Sequence, residues 1–488
     1  MRRLLFLGLI ITSHFLYGQS NTPAIDGGKM VLDLRQTVDI ALERNLNIKR
    51  SELTLRGAEV NLTQSKMNRL PNANVGVGAG RNWGRSVDPT TNQFITLPLY
   101  FAGVQGSSNI TLFNGMQLHN TVKRNELTKN ANEFDLEKSK NDVIVTVVTS
   151  YLNVILNQEL VETARLQAES TRNQLDRTVK LVDAGSLPIT NQLDLESQLA
   201  SNELDLINAE NDLALSLLSL KQALLLPSTT EVELIVPEVD VPDELNLDDD
   251  VEGIYRTALE AMPEIKSADL NVQSAEVGLR VAQGGIMPTL SLGGSFNTNY
   301  SEIADREREV FDGTTFAEFP IGYLESDPSQ LVYTRQQVPN VVRTEPDFPV
   351  FDQFSEYLSK QINLNLSIPI FNRFTTRSNV QRAIITQKTA EISALETRNT
   401  LRQNIETAYN NANAALKSYN ASERQVSALE QSFKNTENRY SLGAVNFVEY
   451  QVASNNLFRA RSGLVRAKYT YLFRLKILEF YQGKELTF

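Results

Sequence analysis

The fold class this sequence predicts is a mainly α-helical chain carrying a membrane β-barrel segment, and three features predict it. First, Gln361 to Asn372, QINLNLSIPIFN, alternates Ile362, Leu364, Leu366, Ile368 and Ile370 with Asn363, Asn365 and Ser367. Strict period two over roughly ten residues matches a tilted strand that spans a bilayer. One face is aliphatic and the other uncharged, which suits lipid on one side and water on the other. Second, about seventy residues of helical pattern follow Asn372 without a proline. Third, the chain is duplicated. Ala41, Leu42, Glu43, Ile48, Lys49, Ala58, Glu59, Val60, Leu62 and Pro71 recur at one constant offset as Ala258, Leu259, Glu260, Ile265, Lys266, Ala275, Glu276, Val277, Leu279 and Pro288. At a second, larger offset, Phe113, Asn114, Tyr151, Asn153, Gly185 and Leu199 recur as Phe371, Asn372, Tyr409, Asn411, Gly443 and Leu457.

Taken in order, residues 1–18 read as a secretory signal peptide, with Arg2 and Arg3 ahead of an apolar run and a small residue before Gln19. The first structural repeat, 19–225, reads as a helix over 34–70, strands over 72–83 and 104–113, a long helix over 115–183 and a shorter one over 190–225. An inter-repeat linker takes 226–250. The second repeat, 251–488, reads as a helix over 251–283, strands over 289–300 and 358–371, a long helix over 373–442 and a shorter one over 447–481. Pro71 and Pro288 stop the first helices, because proline lacks the N–H and fixes φ. Pro263 interrupts the helix it sits in, and Pro369 falls near a strand end. The difference between the two offsets lies wholly between the strands, so the second repeat carries an extra loop over 301–356, rich in acids such as Glu302, Asp305, Glu307 and Glu309. We read it as solvent-exposed. Gly185 and Gly443 supply the left-handed residue that lets antiparallel helices turn.

Lengths set the packing. A helix of about seventy residues is roughly 105 Å long, matching two shorter helices laid end to end, so a long antiparallel coiled-coil layer is expected. Leu193, Ala200, Ile207 and Ala214, with Leu204, Leu218 and Leu225, carry its heptads. Four strands per chain cannot close a barrel, and open edges in hydrocarbon leave backbone groups unpaired. Three copies give twelve strands and a lumen, towards which Ser291, Ser295, Asn297, Asn363 and Asn365 would point. A homotrimer set in lipid is therefore expected.

Other chemistry is thin. The chain has no cysteine, which excludes disulfides, thiol chemistry and lipid attachment at cysteine. Its net charge of −11 argues against nucleic-acid binding. His119 is the sole histidine beyond the leader, so no nucleophile–base pair, metal set or cofactor site assembles, and no enzyme is expected. Asp248, Asp249 and Asp250 lack further ligands at calcium-loop spacing and read as an acidic linker capping the next helix. Trp83, Phe94, Tyr100 and Phe101 fit either an interfacial aromatic girdle or loop packing.

The strand exits Leu112-Phe113-Asn114-Gly115 and Ile370-Phe371-Asn372, the hairpin tips at Gly185 and Gly443, and the duplicated helix-strand-strand-helix-helix order resemble the TolC-like outer-membrane efflux protein family over essentially the whole mature chain. The resemblance implies a trimeric channel-tunnel in the outer membrane of a Gram-negative bacterium, its twelve-stranded barrel continued by an α-helical periplasmic tunnel. It implies the passive exit duct of a tripartite efflux pump or type I secretion system, opened by splaying of helix hairpins. A periplasmic adaptor (membrane fusion) protein and an inner-membrane transporter would be its partners. The tips Gly185, Ser186, Leu187, Pro188, Gly443, Ala444, Val445 and Phe447 would then dock the adaptor; the plainer alternative is that they only cap hairpins. Tyr440 stands where the family has an aromatic gate residue and Glu449 where it has an acidic pore residue. Asn191 is the matching position in the first repeat, where the family can carry an acid. Val445 and Val452 depart from the basic and acidic residues found there, and a solvated helix surface is the alternative for Glu449. A structural or adhesive coiled-coil protein of the periplasm or surface is the competing function.

Overall fold

In this computed structural model the described residues are 30–87, 94–96, 98–236, 250–302, 308–345 and 348–484; the leader and residues 237–249 of the linker lie outside them. In chain order the elements are β1 (Met30–Leu32), α1 (Leu34–Arg44), α2 (Leu46–Met67), β2 (Asn74–Asn82), β3 (Ser86–Val87), β4 (Phe94–Ile95), β5 (Leu99–Asn114), α3 (Gln117–Asp183), α4 (Ile189–Ala223) and β6 (Val232–Leu234). There follow α5 (Val251–Ala261), α6 (Pro263–Gly284), β7 (Thr289–Ser301), β8 (Arg308–Leu324), β9 (Asp327–Glu345), α7 (Val350–Glu356), β10 (Ser359–Ser367), α8 (Thr375–Ser441) and α9 (Phe447–Tyr481). The described residues fall into two compact units. One is drawn from the described residues of 30–49, 139–261 and 402–484, the other from those of 50–138 and 262–401.

In the second unit, β10, β7, β5 and β2 form one antiparallel sheet in that order. Directly paired residues share a face, so the register assigns every side. Val75, Val77 and Ala79 stand opposite Gly106, Val104 and Ala102, which stand opposite Phe296, Thr298 and Tyr300. Ile362, Leu364 and Leu366 stand opposite Gly294, Leu292 and Leu290 on the same face. The other face carries Gly76, Gly78, Gln105, Ser291, Ser295, Asn297, Asn299, Gln361, Asn363 and Asn365, without a charge among its paired positions. β2 and β10 are the open edges. The strand expected over 358–371 pairs only to Ser367, because Pro369 has no N–H to continue the ladder.

The excursion of the second repeat has structure of its own. β8 and β9 pair as a hairpin, and α7 packs back on β7. Gln353, fully buried, accepts from the Ser301 N–H at 3.0 Å and donates to the Ser301 carbonyl at 3.2 Å and the Phe348 carbonyl at 2.8 Å. The first helix of each repeat is two helices. α1 ends at Asn45, whose side chain caps α2 by accepting the Asn47 N–H at 2.8 Å, and α5 ends at Met262 ahead of Pro263.

In the first unit, β1 and β6 pair in parallel. Tyr151, buried, donates to the Ile235 carbonyl at 2.6 Å. α3 holds a window apolar enough to cross a membrane by length and composition, yet Val147, Val148, Tyr151, Leu152, Val154 and Ile155 within α3 are buried core. The heptad residues of α4 behave otherwise. Leu193, Leu204, Ile207 and Leu218 are exposed, while Leu195, Asn202, Ser216 and Leu220 are the buried ones. In the second unit, Leu53, Val60 and Met67 of α2 form a second exposed heptad stripe. Among the described residues α4 packs on α3 through Leu195 and Asn202 instead of its heptad residues, and the two exposed stripes are left uncovered within their own units.

Candidate functional site

The two hairpin tips, both in the first unit, turn by the same device. Gly185 adopts φ 72°; its N–H donates to the Val182 carbonyl at 2.9 Å and that of Ser186 to Leu181 at 2.8 Å. Gly443, also at φ 72°, donates to Tyr440 at 3.0 Å, and Ala444 to Arg439 at 2.8 Å. These paired bonds close the orphan carbonyls of α3 and α8. The outgoing helices start differently. α4 follows Pro188, which offers no side-chain cap, whereas the Asn446 side chain accepts the Glu449 N–H at 2.9 Å ahead of α9.

Behind the second tip lies an aromatic seam. Leu195, Phe447 and Tyr450 are buried, and Leu175, Phe433 and Tyr440 pack on them. The Tyr440 and Tyr450 rings stack at 4.9 Å, and Phe433 lies 5.6 Å from Tyr450. Burial, with the Glu437 carboxylate adding to it, pushes the Tyr450 hydroxyl up to about 12, and burial raises Tyr440 as well.

The expected docking residues divide. Gly185, Ser186, Pro188, Gly443 and Ala444 are exposed, while Leu187 and Val445 are half-buried. Phe447 is buried and corrects the reading of it as a surface contact: its ring, 6.2 Å from Tyr440, belongs to the seam. The exposed apolar side chains at the tips are Leu442 (83%), Val448, Val452 and Ile189. A residue just inside a turn reads the same in sequence whether it faces in or out; only its partners decide.

Of the expected gate residues, Tyr440 sits half-buried in the seam. Glu449 is exposed, with its Oε1 3.4 Å from the Arg439 guanidinium. Asn191 is half-buried in the first turn of α4, its N–H on the Pro188 carbonyl at 3.1 Å. Arg439 went unread in the sequence, although a cation in the last turn of a long helix is favoured there by the helix dipole. His119 is exposed, and Asp250 caps α5 through the Gly253 N–H at 2.8 Å. Among the described residues no group of three or more His, Asp and Glu could hold a metal.

The family profile described as outer membrane efflux protein matches residues 37–224 and 254–484. The chain belongs to this family. As an outer membrane efflux protein it is sited in the outer membrane of a Gram-negative bacterium. The outer membrane protein TolC of Escherichia coli is 21% identical over 332 residues, covering 68% of this chain but only 59% of TolC. TolC of Vibrio cholerae is 21% identical over 424 residues, 86% of this chain and 83% of that one. Among solved structures, the outer membrane protein VceC of Vibrio cholerae superposes with a TM-score of 0.71 at 14% identity, covering 93% of this chain and 97% of VceC. Identity that low carries the fold alone.

Proposed function

We propose that three copies of this outer membrane efflux protein close a twelve-stranded barrel and form the passive exit duct of a tripartite efflux pump or type I secretion system. The observation that carries this reading is the sheet with one largely apolar face, one uncharged face and two open edges. Antiparallel order makes β2 and β10 run in opposite directions, so β10 of one copy can continue antiparallel into β2 of the next and leave no edge in hydrocarbon. The exposed stripes on α2 and α4 support the same assembly, since each is half of a coiled coil whose other half a sister copy supplies. A structural or adhesive coiled coil would leave the division of the sheet without a reason.

The duct catalyses nothing; the energy comes from an inner-membrane transporter joined through a periplasmic adaptor. Leu442, Val448, Val452 and Ile189, beside the exposed tip residues, are the apolar contacts offered to that adaptor, and Tyr440, Glu449 and Asn191 are assigned to the periplasmic gate. Reconstitution into a planar bilayer tests the duct: stepwise conductance is expected, and a protein that never inserts overturns the reading. Arg439→Gln and Glu449→Gln each remove one partner of an exposed ion pair, costing less than about 1 kcal/mol of stability. Raised conductance with an unchanged melting temperature assigns the pair to the gate; unchanged conductance assigns it to the surface. Leu442→Asn with Val448→Asn is expected to lower crosslinking to the adaptor while conductance persists.

A further inference from the structure

The apolar row of β2 runs Val75, Val77, Ala79 and then Arg81, at the end of the sheet remote from α2 and α8. On β10 the same face carries Lys360 ahead of Ile362, Leu364 and Leu366, in register with Phe296, Gly106 and Val75. Each open edge thus carries one cation on the face that holds the apolar residues. Arg81 is framed by rings: its guanidinium lies 4.6 Å from the Tyr100 ring and 5.5 Å from that of Trp83. Arg85 lies 4.9 Å from the Phe94 ring. All five side chains are exposed, and neither arginine has a carboxylate partner among the described residues. A guanidinium at the bilayer midplane costs about 2–4 kcal/mol and almost nothing at the interface, and aromatic rings settle at that same level. A weakly hydrated, forked donor on this row, with no carboxylate partner among the described residues, matches phosphate oxygens.

Resting on the barrel reading above, we propose that Arg81 and Arg85, framed by Trp83, Tyr100 and Phe94, form a site for a phosphate-bearing anionic lipid headgroup at the outer rim of the barrel. The rings take the upper acyl chain and glycerol region, and the guanidinium groups take the phosphate. Such a site anchors the rim at a fixed depth and enriches anionic lipid around the duct.

Trp83 is the only tryptophan in the chain, so it reports on the site without a label. The full-length protein is reconstituted into phosphatidylcholine vesicles doped with either brominated phosphatidylcholine or brominated phosphatidylglycerol at equal low mole fraction, and Trp83 quenching is read. One arginine beside an anionic headgroup corresponds to about fivefold local enrichment, so the phosphatidylglycerol quencher is expected to act severalfold more strongly. Arg81→Gln with Arg85→Gln is expected to bring it down to the phosphatidylcholine level. Equal quenching by both lipids in the unaltered protein overturns the headgroup site and leaves the barrel standing, since Trp83 then lies in lipid without selecting it. No quenching by either overturns the barrel reading itself. An excess that survives in the double variant assigns the selectivity elsewhere and also overturns the proposal.

Discussion

Gly115 and Arg373 occupy equivalent places, just after the strand exits, and both adopt left-handed backbone, at φ 63° and 56°, as do the next residues Met116 and Phe374 at 63° and 62°. In the first repeat glycine is required twice over, because a Cβ at Gly115 would lie 2.3 Å from the Gly284 carbonyl oxygen. Gly115→Ala is therefore expected to cost about 2 kcal/mol or more, whereas Arg373→Gly relieves a left-handed side chain and should raise the melting temperature by the equivalent of about 0.5–1 kcal/mol. Buried tyrosines give a second prediction. Burial, joined by Asp33, Glu437 and Glu159 respectively, holds Tyr151, Tyr450 and Tyr469 at about 12. The unfolded chain releases these protons near 10, so it gains on the folded state as pH rises. The contribution of these tyrosines to stability is then level below pH 10 and falls between 10 and about 12, by up to about 1.4 kcal/mol per pH unit for each. Tyr450→Phe should flatten denaturant midpoints plotted against pH across that window by one proton's worth; an unchanged slope would refute the assignment. At this scale the sequence was legible where backbone chemistry dictates the residue, as at Gly185 and Gly443, and illegible where a side chain's direction decides its role, as at Phe447 and Arg439.

Among the elements, β10 was readable because aliphatic and uncharged polar residues alternate along it with strict period two. The β8–β9 hairpin was not: Pro320, Pro328 and Pro339 interrupt it, and acids and aromatics mix on both sides, so no period stands out. The break between α1 and α2 was hidden too, since Asn45 ends a helix only through the cap it makes, while Pro263 announces the break between α5 and α6. On the barrel reading proposed above, the apolar row of β10 faces lipid, and this predicts an asymmetric response to charge. Leu364→Arg puts a guanidinium on the apolar row at a cost of about 2–4 kcal/mol near the midplane, whereas Asn365→Arg points it at water. Outer-membrane fractions should contain the second variant at close to the unaltered level and the first much reduced. Equal levels of both would mean that this face does not meet lipid.

For the whole molecule the decisive question is what covers the two open edges. Within one chain β2 and β10 are separated by β5 and β7, three spacings of about 4.8 Å or roughly 14 Å. A disulfide needs Cα atoms within about 7 Å, so cysteines on these edges cannot join within a chain. The chain has no cysteine of its own to confuse the result. Gly78→Cys on β2, combined in turn with Gln361→Cys, Asn363→Cys and Asn365→Cys on β10, samples the registers along which neighbours could pair, all on the uncharged face. Oxidation in the membrane, followed by denaturing electrophoresis, should give one register that crosslinks strongly, with products at two and three chains and none beyond, because the third bond closes the ring. A ladder that stops at two chains would mean an eight-stranded barrel filled by side chains. One that runs past three would mean a larger or unclosed assembly. No crosslink at any register would leave β2 and β10 covered by something other than a sister copy, and the exposed stripes of α2 and α4 would then need a different partner as well.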